Sequence, residues 1–289
     1  MKIELSTVFY ICMNFWVKKD KKRDCVFVYL MIKCNHNSWK GKIFMRNFGL
    51  QLYTIRRELG TENDRKILEY VKSLGYSYVQ AAGDFASIER LGKIANDIGL
   101  ATIGSVTSLD SVLENFEEAV RSHKSIGAFD IGVSAKFSSS AEVVDFIKKA
   151  NELSERLFEY RISFSYHNHS NEFITLDNGR CAYDMLIDGL TSKNAFFMPD
   201  TYWIQHGGAD VRYYIEKLKG RIKILHMKDA KMKDEGITFG EIGKGNLYWD
   251  GILESARCSG VEYFVVEQDK CDISPLESIK LSADCLSNM

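Results

Sequence analysis

Four strand-like apolar runs in this chain each end in a side chain that can hold a metal ion or move a proton. Ile162–Tyr166 leads into His167-Asn168-His169, Ala195–Met198 into Pro199-Asp200, Ile222–Leu225 into His226, and Tyr263–Val266 into Glu267. Two imidazoles and two carboxylates form a donor set that suits a catalytic divalent metal. Taken singly, each residue has a plainer explanation. A lone His in an apolar strand is more often a hydrogen-bonded core residue, and an acid after a proline suits a turn. Glu267, directly after three apolar residues, is the costliest to desolvate unless it is paired or metal-bound. The repetition of such a residue at the same end of four runs selects chemistry over packing.

Side-chain alternation adds neighbours to this set. Residues two apart in a strand face the same side. His167 and His169 therefore share a face, with Asn168 opposite, and Lys228 shares the face of His226. Trp203 offers an apolar wall beside Asp200. His206 lies in the loop-like stretch Gln205-His206-Gly207-Gly208, as a substrate contact or a solvated loop residue.

The elements that must carry these residues alternate along the chain. Strand-like runs at 48–54, 76–81, 101–105, 130–133, 162–166, 195–198, 222–228 and 263–267 are each followed by a stretch with helical spacing. These stretches fall at 62–73, 87–98, 109–125, 141–160, 182–190, 211–218, 249–259 and 275–285. Gly75, Gly99, Gly127, Gly220 and Gly260 stand where a helix stops before a strand, as C-terminal caps do. Strict alternation implies parallel strands with helical crossovers. Eight units predict a closed (β/α)8 TIM barrel, whose chemistry gathers at the C-terminal ends of its strands. A doubly wound sheet is the fold alternative, but no GxGxxG follows the first strand.

Composition narrows the class. The net charge of −1 gives no global attraction to nucleic acid or an anionic membrane. Seven cysteines without a CxxC pair point to reduced thiols and a cytoplasmic setting. The N-terminal part differs from the rest: Ser6–Val17 is apolar, and a basic run, Lys18–Arg23, follows it. That charge order is the reverse of a signal peptide, and the apolar stretch is too short to span a bilayer. Residues 1–44 thus read as a poorly defined extension, in keeping with an upstream start assigned in error. Residues 45–289 then form the barrel, at close to the roughly 250 residues typical of the fold.

Six short stretches, in order, resemble the xylose-isomerase-like barrel superfamily in its sugar phosphate isomerase/epimerase branch. They are Gly49-Leu50-Gln51-Leu52-Tyr53-Thr54 with Arg56; Tyr166-His167-Asn168-His169 with Glu172-Phe173; Asp200-Thr201-Tyr202-Trp203-Ile204-Gln205 with Gly207-Gly208-Ala209-Asp210; Leu225-His226-Met227-Lys228-Asp229; Gly243-Lys244-Gly245; and Val266-Glu267-Gln268-Asp269. The resemblance spans about Phe48 to Cys285 and leaves residues 1–44 without a counterpart. It implies Asp200, His226 and Glu267 as ligands of one divalent ion, Mn²⁺, Mg²⁺, Co²⁺ or Zn²⁺. In the best-known epimerases the fourth ligand is a Glu at the end of strand five. Here that position aligns with His167, while Glu172 lies five residues on, so His167 and Glu172 compete for the role.

The activity so implied is isomerisation or epimerisation of a sugar or sugar derivative, by proton abstraction next to a carbonyl with a metal-stabilised enediolate. Glu267 is the expected base, with His167, His169 and Lys228 as further catalytic groups. Trp203, His206, Tyr53 and Gln80 are the expected substrate contacts. An inosose-type dehydratase on the same barrel and a noncatalytic sugar-binding or partner subunit are the alternatives. Close relatives commonly carry Glu where Gln80 stands and His near Val106, so the mouth has lost ionisable groups. The same two positions count against a three-zinc DNA repair nuclease, as does the absence of a basic surface bias. The expected partner is a small carbohydrate, with no nucleic acid and no membrane; self-association into a homo-oligomer stays open.

Overall fold

The computed structural model describes residues 8–19 and 22–33 by their backbone, and 47–60 and 62–289 with side chains. The chain divides into two compact units, Met1–Ile43 and Phe44–Met289. In the first, β1 (Val8–Lys19) pairs antiparallel with β2 (Lys22–Lys33), from Val8 opposite Lys33 to Lys19 opposite Lys22.

The second unit alternates strand and helix. In order it runs β3 (Gly49–Gln51), α1 (Asp64–Ser73), β4 (Tyr78–Ala81), α2 (Phe85–Asp97), β5 (Ala101–Ser108), α3 (Leu109–Glu114), α4 (Phe116–Ser125), β6 (Asp130–Ser134), α5 (Ser140–Glu159), β7 (Ser163–His167) and α6 (Ala182–Gly189). It continues with β8 (Ala195–Met198), α7 (Thr201–His206), α8 (Val211–Lys217), β9 (Ile224–Met227), β10 (Asp229–Lys233), β11 (Gly236–Gly240), α9 (Trp249–Ser259), β12 (Tyr263–Val266) and α10 (Pro275–Leu286). Eight strands form one parallel sheet in the order β8-β7-β6-β5-β4-β3-β12-β9. Its two ends meet through the isolated parallel bridges Phe197–Ile222 and Asp200–His226. The ladder is thin at this seam because Pro199 has no N–H to give; its carbonyl accepts from the His226 N–H at 2.9 Å. The result is the expected TIM barrel, nearly closed.

Alternation along the strands separates two apolar clusters. Tyr78, Ile103, Met198, Ile224 and Val265 pack together in one, while Val79, Phe197, Leu225, Phe264 and Val266 join the larger core that includes the helices. The first set points inward and the second outward. Gly49 belongs to the inward row of β3, and a Cβ there would collide with the Tyr78 ring. Continuing the inward rows by two residues leads from Ile224 to His226, from Met198 to Asp200 and from Val265 to Glu267, and two residues more on β9 reach Lys228. The barrel thus changes from packed to polar on reaching its C-terminal rim.

The helix stops fall where the glycines lie. All five joint glycines have positive φ, 96° at Gly75 and 89° at Gly260. Two local expectations need correction. The stretch 109–125 is two helices, broken at Asn115 (φ −122°, ψ 39°), whose side-chain amide donates to the Ser111 carbonyl and so competes with the helical ladder. The stretch 201–206 is the short helix α7, so His206 ends a helix. The turn Gly243-Lys244-Gly245 is tethered. The buried Asp229 carboxylate accepts from the N–H groups of Gly243 at 2.9 Å, Gly245 at 3.1 Å and Leu247 at 3.2 Å, and from Trp249 Nε1 at 2.8 Å. Among the described residues no helix is long and apolar enough to cross a membrane.

Candidate metal centre

Four side chains converge at the rim. Ligand atoms of His167, Asp200, His226 and Glu267 all lie within 4.8 Å of one another, and all four residues are buried. His167 ends β7, Asp200 follows β8, His226 lies in β9 and Glu267 follows β12. Glu267 Oε2 is 2.9 Å from His226 Nδ1 and 4.0 Å from His167 Nε2. The His167 and His226 rings lie 4.6 Å apart. Asp200 serves two masters: Oδ1 caps α7 by accepting from the Trp203 N–H at 3.0 Å, while Oδ2 faces Lys228 Nζ at 2.9 Å. The turn cap and the site acid, weighed above as alternatives, are the two oxygens of one carboxylate. Asn168 accepts from the Asp200 N–H at 3.1 Å, tying the end of β7 to the end of β8.

Lys228 is fully buried among carboxylates. Its Nζ lies 2.9 Å from Asp200 Oδ2, 2.9 Å from Glu267 Oε2 and 2.5 Å from Asp269 Oδ2. Burial opposes its charge, but these three carboxylates outweigh it and raise the ammonium pKa above its ordinary value. Burial likewise works against Glu267 ionising, yet Lys228 and His226 hold its carboxyl well below the usual range. Asp200 goes the other way: burial pushes it up to about 6 despite Lys228. Burial, with His226 alongside, holds His167 well below the usual imidazole range, which keeps it in the neutral form that ligates metals.

The residues fit a divalent ion on three counts. The donor set is mixed nitrogen and oxygen. His167 Nδ1 is buried without a hydrogen-bond partner. Three carboxylates against one ammonium leave two negative charges, matching a divalent cation.

The other expected residues are distributed around this cluster. Glu172 is buried but stands outside it; its Oε1 accepts from Tyr166 OH at 2.8 Å and from the His169 N–H at 3.0 Å. Between the two competing residues, the geometry brings His167 into the set and leaves Glu172 holding the His169 turn. The half-buried His169 ring lies 5.0 Å from His167 and 5.3 Å from Trp203. Trp203 also lies 5.4 Å from Lys228 Nζ. His206 is exposed and stacks on Tyr202. Tyr53, 41% exposed, stacks under the Arg56 guanidinium at 3.8 Å. Gln80, expected at the substrate, is fully buried and bonded to His226 instead.

Asp269, Gln51 and Phe239 belong to the neighbourhood and were not singled out. Asp269 was legible, two residues past Glu267 on the same face. Gln51 was legible by the same alternation as Gly49. Phe239, 5.9 Å from Lys228 Nζ, comes from β11, for which no periodic signal was read.

A parallel eightfold barrel with a buried His/Asp/His/Glu cluster at its C-terminal rim defines a class of protein. The chain belongs to the xylose isomerase-like TIM barrel family, whose pattern it matches over residues 68–289. No curated protein matches it. Solved structures share its fold. A sugar phosphate isomerase/epimerase from Parabacteroides distasonis superposes with a TM-score of 0.72 at 22% identity, covering 85% of this chain and 97% of that one. A probable 3-DHS dehydratase from Bacillus anthracis gives 0.68 at 14% identity, covering 84% and 99%. A 3-keto-D-glucoside 4-epimerase from E. coli gives 0.64 at 14% identity, covering 84% and 98%.

Proposed function

We propose that the barrel unit, residues 45–289, is a divalent-metal-dependent isomerase or epimerase of a sugar or sugar derivative. The observation that carries this reading is the convergence of His167, Asp200, His226 and Glu267, with Lys228 lying against two of the carboxylates. These residues would hold a divalent ion, Mn²⁺, Mg²⁺, Co²⁺ or Zn²⁺, which would supply Lewis-acid polarisation of a carbonyl. Glu267, held ionised by its neighbours, takes the proton from the carbon next to that carbonyl. His167 stands where the best-known epimerases place a second Glu; a neutral imidazole has one lone pair, so His167 would serve either as the fourth ligand or, off the ion, as the base on the opposite face. Lys228 keeps a fixed positive charge beside the oxygen on which negative charge grows. Trp203 and His169 wall the sugar.

The test begins with the full-length chain and its Asp200→Ala/His226→Ala variant. Metal content by mass spectrometry is expected near about one ion per chain, and lost in the variant. Ketoses and inososes incubated in deuterium oxide should then take up deuterium at the carbon beside the carbonyl, read by NMR. No retained ion after adding Mn²⁺, Co²⁺ or Zn²⁺ sinks the reading and favours a noncatalytic barrel.

His169 supports a second reading, a dehydratase. Its ring, next to both His167 and Trp203, is a further proton-transfer group at the mouth that could assist departure of a β-hydroxyl. Loss of water from the substrate, seen by mass spectrometry, separates the two.

A further inference from the structure

We propose that a cleft beside the open half of the barrel mouth is a second carbohydrate subsite, and that the substrate is a ketose or inosose carrying a further sugar unit. The identity of the reacting unit rests on the isomerase reading above, while the subsite rests on the cleft itself.

The residues of the metal cluster come from one half of the barrel. β7, β8, β9 and β12 lie side by side across the seam, and each brings one of them. The inward rows of the other half end in Gln51 and Gln80, bonded to each other at 3.1 Å, and in Val106 and Ser134. None of these is charged, and the remainder of a substrate held at the cluster extends over this side.

Ser134 joins the open side to the cleft. Gly132 faces inward, since a Cβ there would meet Met198 Cε and Val106 Cγ2, and Ser134 continues its row. The register of β6 with β7 sets Val133 beside Tyr166, which brings Ser134 level with His167. The same Ser134 lines a cleft of about 390 Å³ between the β6–α5 loop, α5 and the first turn of α3. Lys136 lines it too, and its charge reaches His169 and Glu172 at the mouth.

The cleft falls within the roughly 300–1,000 Å³ of small-molecule sites, and its chemistry suits a neutral polyol. Five charged side chains line it, Asp110, Glu142 and Asp145 against Lys136 and Lys149. With both signs interspersed, it has no single-sign field to gather a phosphate or a cation. It offers carboxylate acceptors beside ammonium donors, as in the Asp145–Lys149 pair at 2.7 Å. Hydroxyl groups, which both donate and accept, need such mixed partners. The half-buried Phe137 ring, met edge-on by Phe146 at 5.3 Å, adds an apolar surface for the C–H face of a sugar ring. A monosaccharide at the cluster leaves this cleft unused; a ketose extended by a second sugar fills both.

The experiment uses the full-length chain labelled with ¹⁵N-phenylalanine, with and without MnCl₂. The probes are maltulose, isomaltulose and lactulose, which differ in linkage and each carry a ketose and a further sugar. D-fructose, their shared ketose unit, is the comparison, and Phe137 is assigned by its absence in Phe137→Leu. At least one disaccharide is expected to shift the Phe137 amide and, by calorimetry, to bind about tenfold more tightly than D-fructose. Asp110→Ala/Lys149→Ala, at two exposed positions, should weaken that disaccharide by about tenfold through lost hydrogen bonds to charged groups, and so remove the preference. Should the double variant not fold, Phe137→Leu, which loses the flat ring, is expected to lower the preference in the same direction. The subsite is overturned if no disaccharide outbinds D-fructose, if the preference survives in both variants, or if inorganic phosphate but no disaccharide shifts the Phe137 amide. A protein that binds a disaccharide through the cleft yet retains no Mn²⁺ keeps the subsite and loses the metal-dependent reading. One that takes deuterium into D-fructose but ignores all three disaccharides does the reverse.

Discussion

Lys228 Nζ and Glu267 Oε2 lie 2.9 Å apart in the buried rim of the barrel, and the same ammonium touches Asp200 and Asp269. It is the cation that makes three neighbouring carboxylates tolerable. Lys228→Met should therefore destabilise the barrel by about 3–5 kcal/mol, the usual cost of leaving buried charge uncompensated. Saturating Mn²⁺ should recover part of that loss by binding only the folded state. Chemical denaturation with and without Mn²⁺ measures both effects; a variant as stable as wild type would show that the carboxylates do not depend on the ammonium.

Asp200 divides its two oxygens between a helix cap and the site, so its two roles can be separated. Asn caps helices about as well as Asp. Asp200→Asn should melt within a few degrees of wild type while losing at least about tenfold in divalent affinity, since it gives up the charge. Asp200→Ala should lose the cap as well, for about a further 1 kcal/mol. Calorimetric titration and thermal melts compare the pair; equal metal affinity in all three proteins would remove Asp200 from the ligand set.

Glu267 is the proposed base. Glu267→Gln keeps the shape and removes the basic oxygen, so turnover should drop by about 10²–10⁴-fold. Deuterium wash-in on the best substrate provides the rate and a thermal melt checks the fold. Full activity would move the proton transfer to another group.

Away from the rim, His123 gives a pH-dependent stability of known sign. Buried on α4, its Nε2 meets Ser105 Oγ at 2.9 Å, and burial pushes its pKa down to about 4. The unfolded histidine titrates near 6.5. Below that pH the unfolded state takes up a proton that the folded state refuses. The stabilising contribution is thus complete above about 6.5, declines as pH falls, and levels off below about 4. Urea unfolding should show a loss of about 2 kcal/mol from this group between pH 7 and pH 5. In His123→Asn that slope should flatten; an unchanged slope would assign it elsewhere.

Much of this site was legible because strands write it in period two. His226 and Lys228 share a face and continue the apolar inward row of β9, while His167 and His169 share another and continue the serine row of β7, so chain order alone brings them to one rim. Asp200 was legible by type but its double use was not, because the cap and the Lys228 contact need α7 and β9 together. Gln80 was misread for the same reason: its partners Gln51 and His226 are far away in sequence, and only closure of the sheet brings the three side chains into contact. The helix α7 and the hairpin β10–β11 escaped because each is too short to show a period. The break at Asn115 lay inside a stretch whose apolar spacing remained helical. The tether of Gly243–Gly245 was not legible because its anchor, Asp229, precedes it by an entire hairpin.

The seam between β8 and β9 has a consequence for how the barrel opens. At this joint Pro199 interrupts the hydrogen bonding, and one of the two bridges that close it joins Asp200 to His226. Both residues are proposed ligands, so an ion gripped by them is a rivet through the weakest stave of the barrel. Amide exchange at Phe197 and His226 should then slow together when Mn²⁺ is added, ahead of any other pair of strands. The ring of strands would be fastened by the same ion that equips it for chemistry.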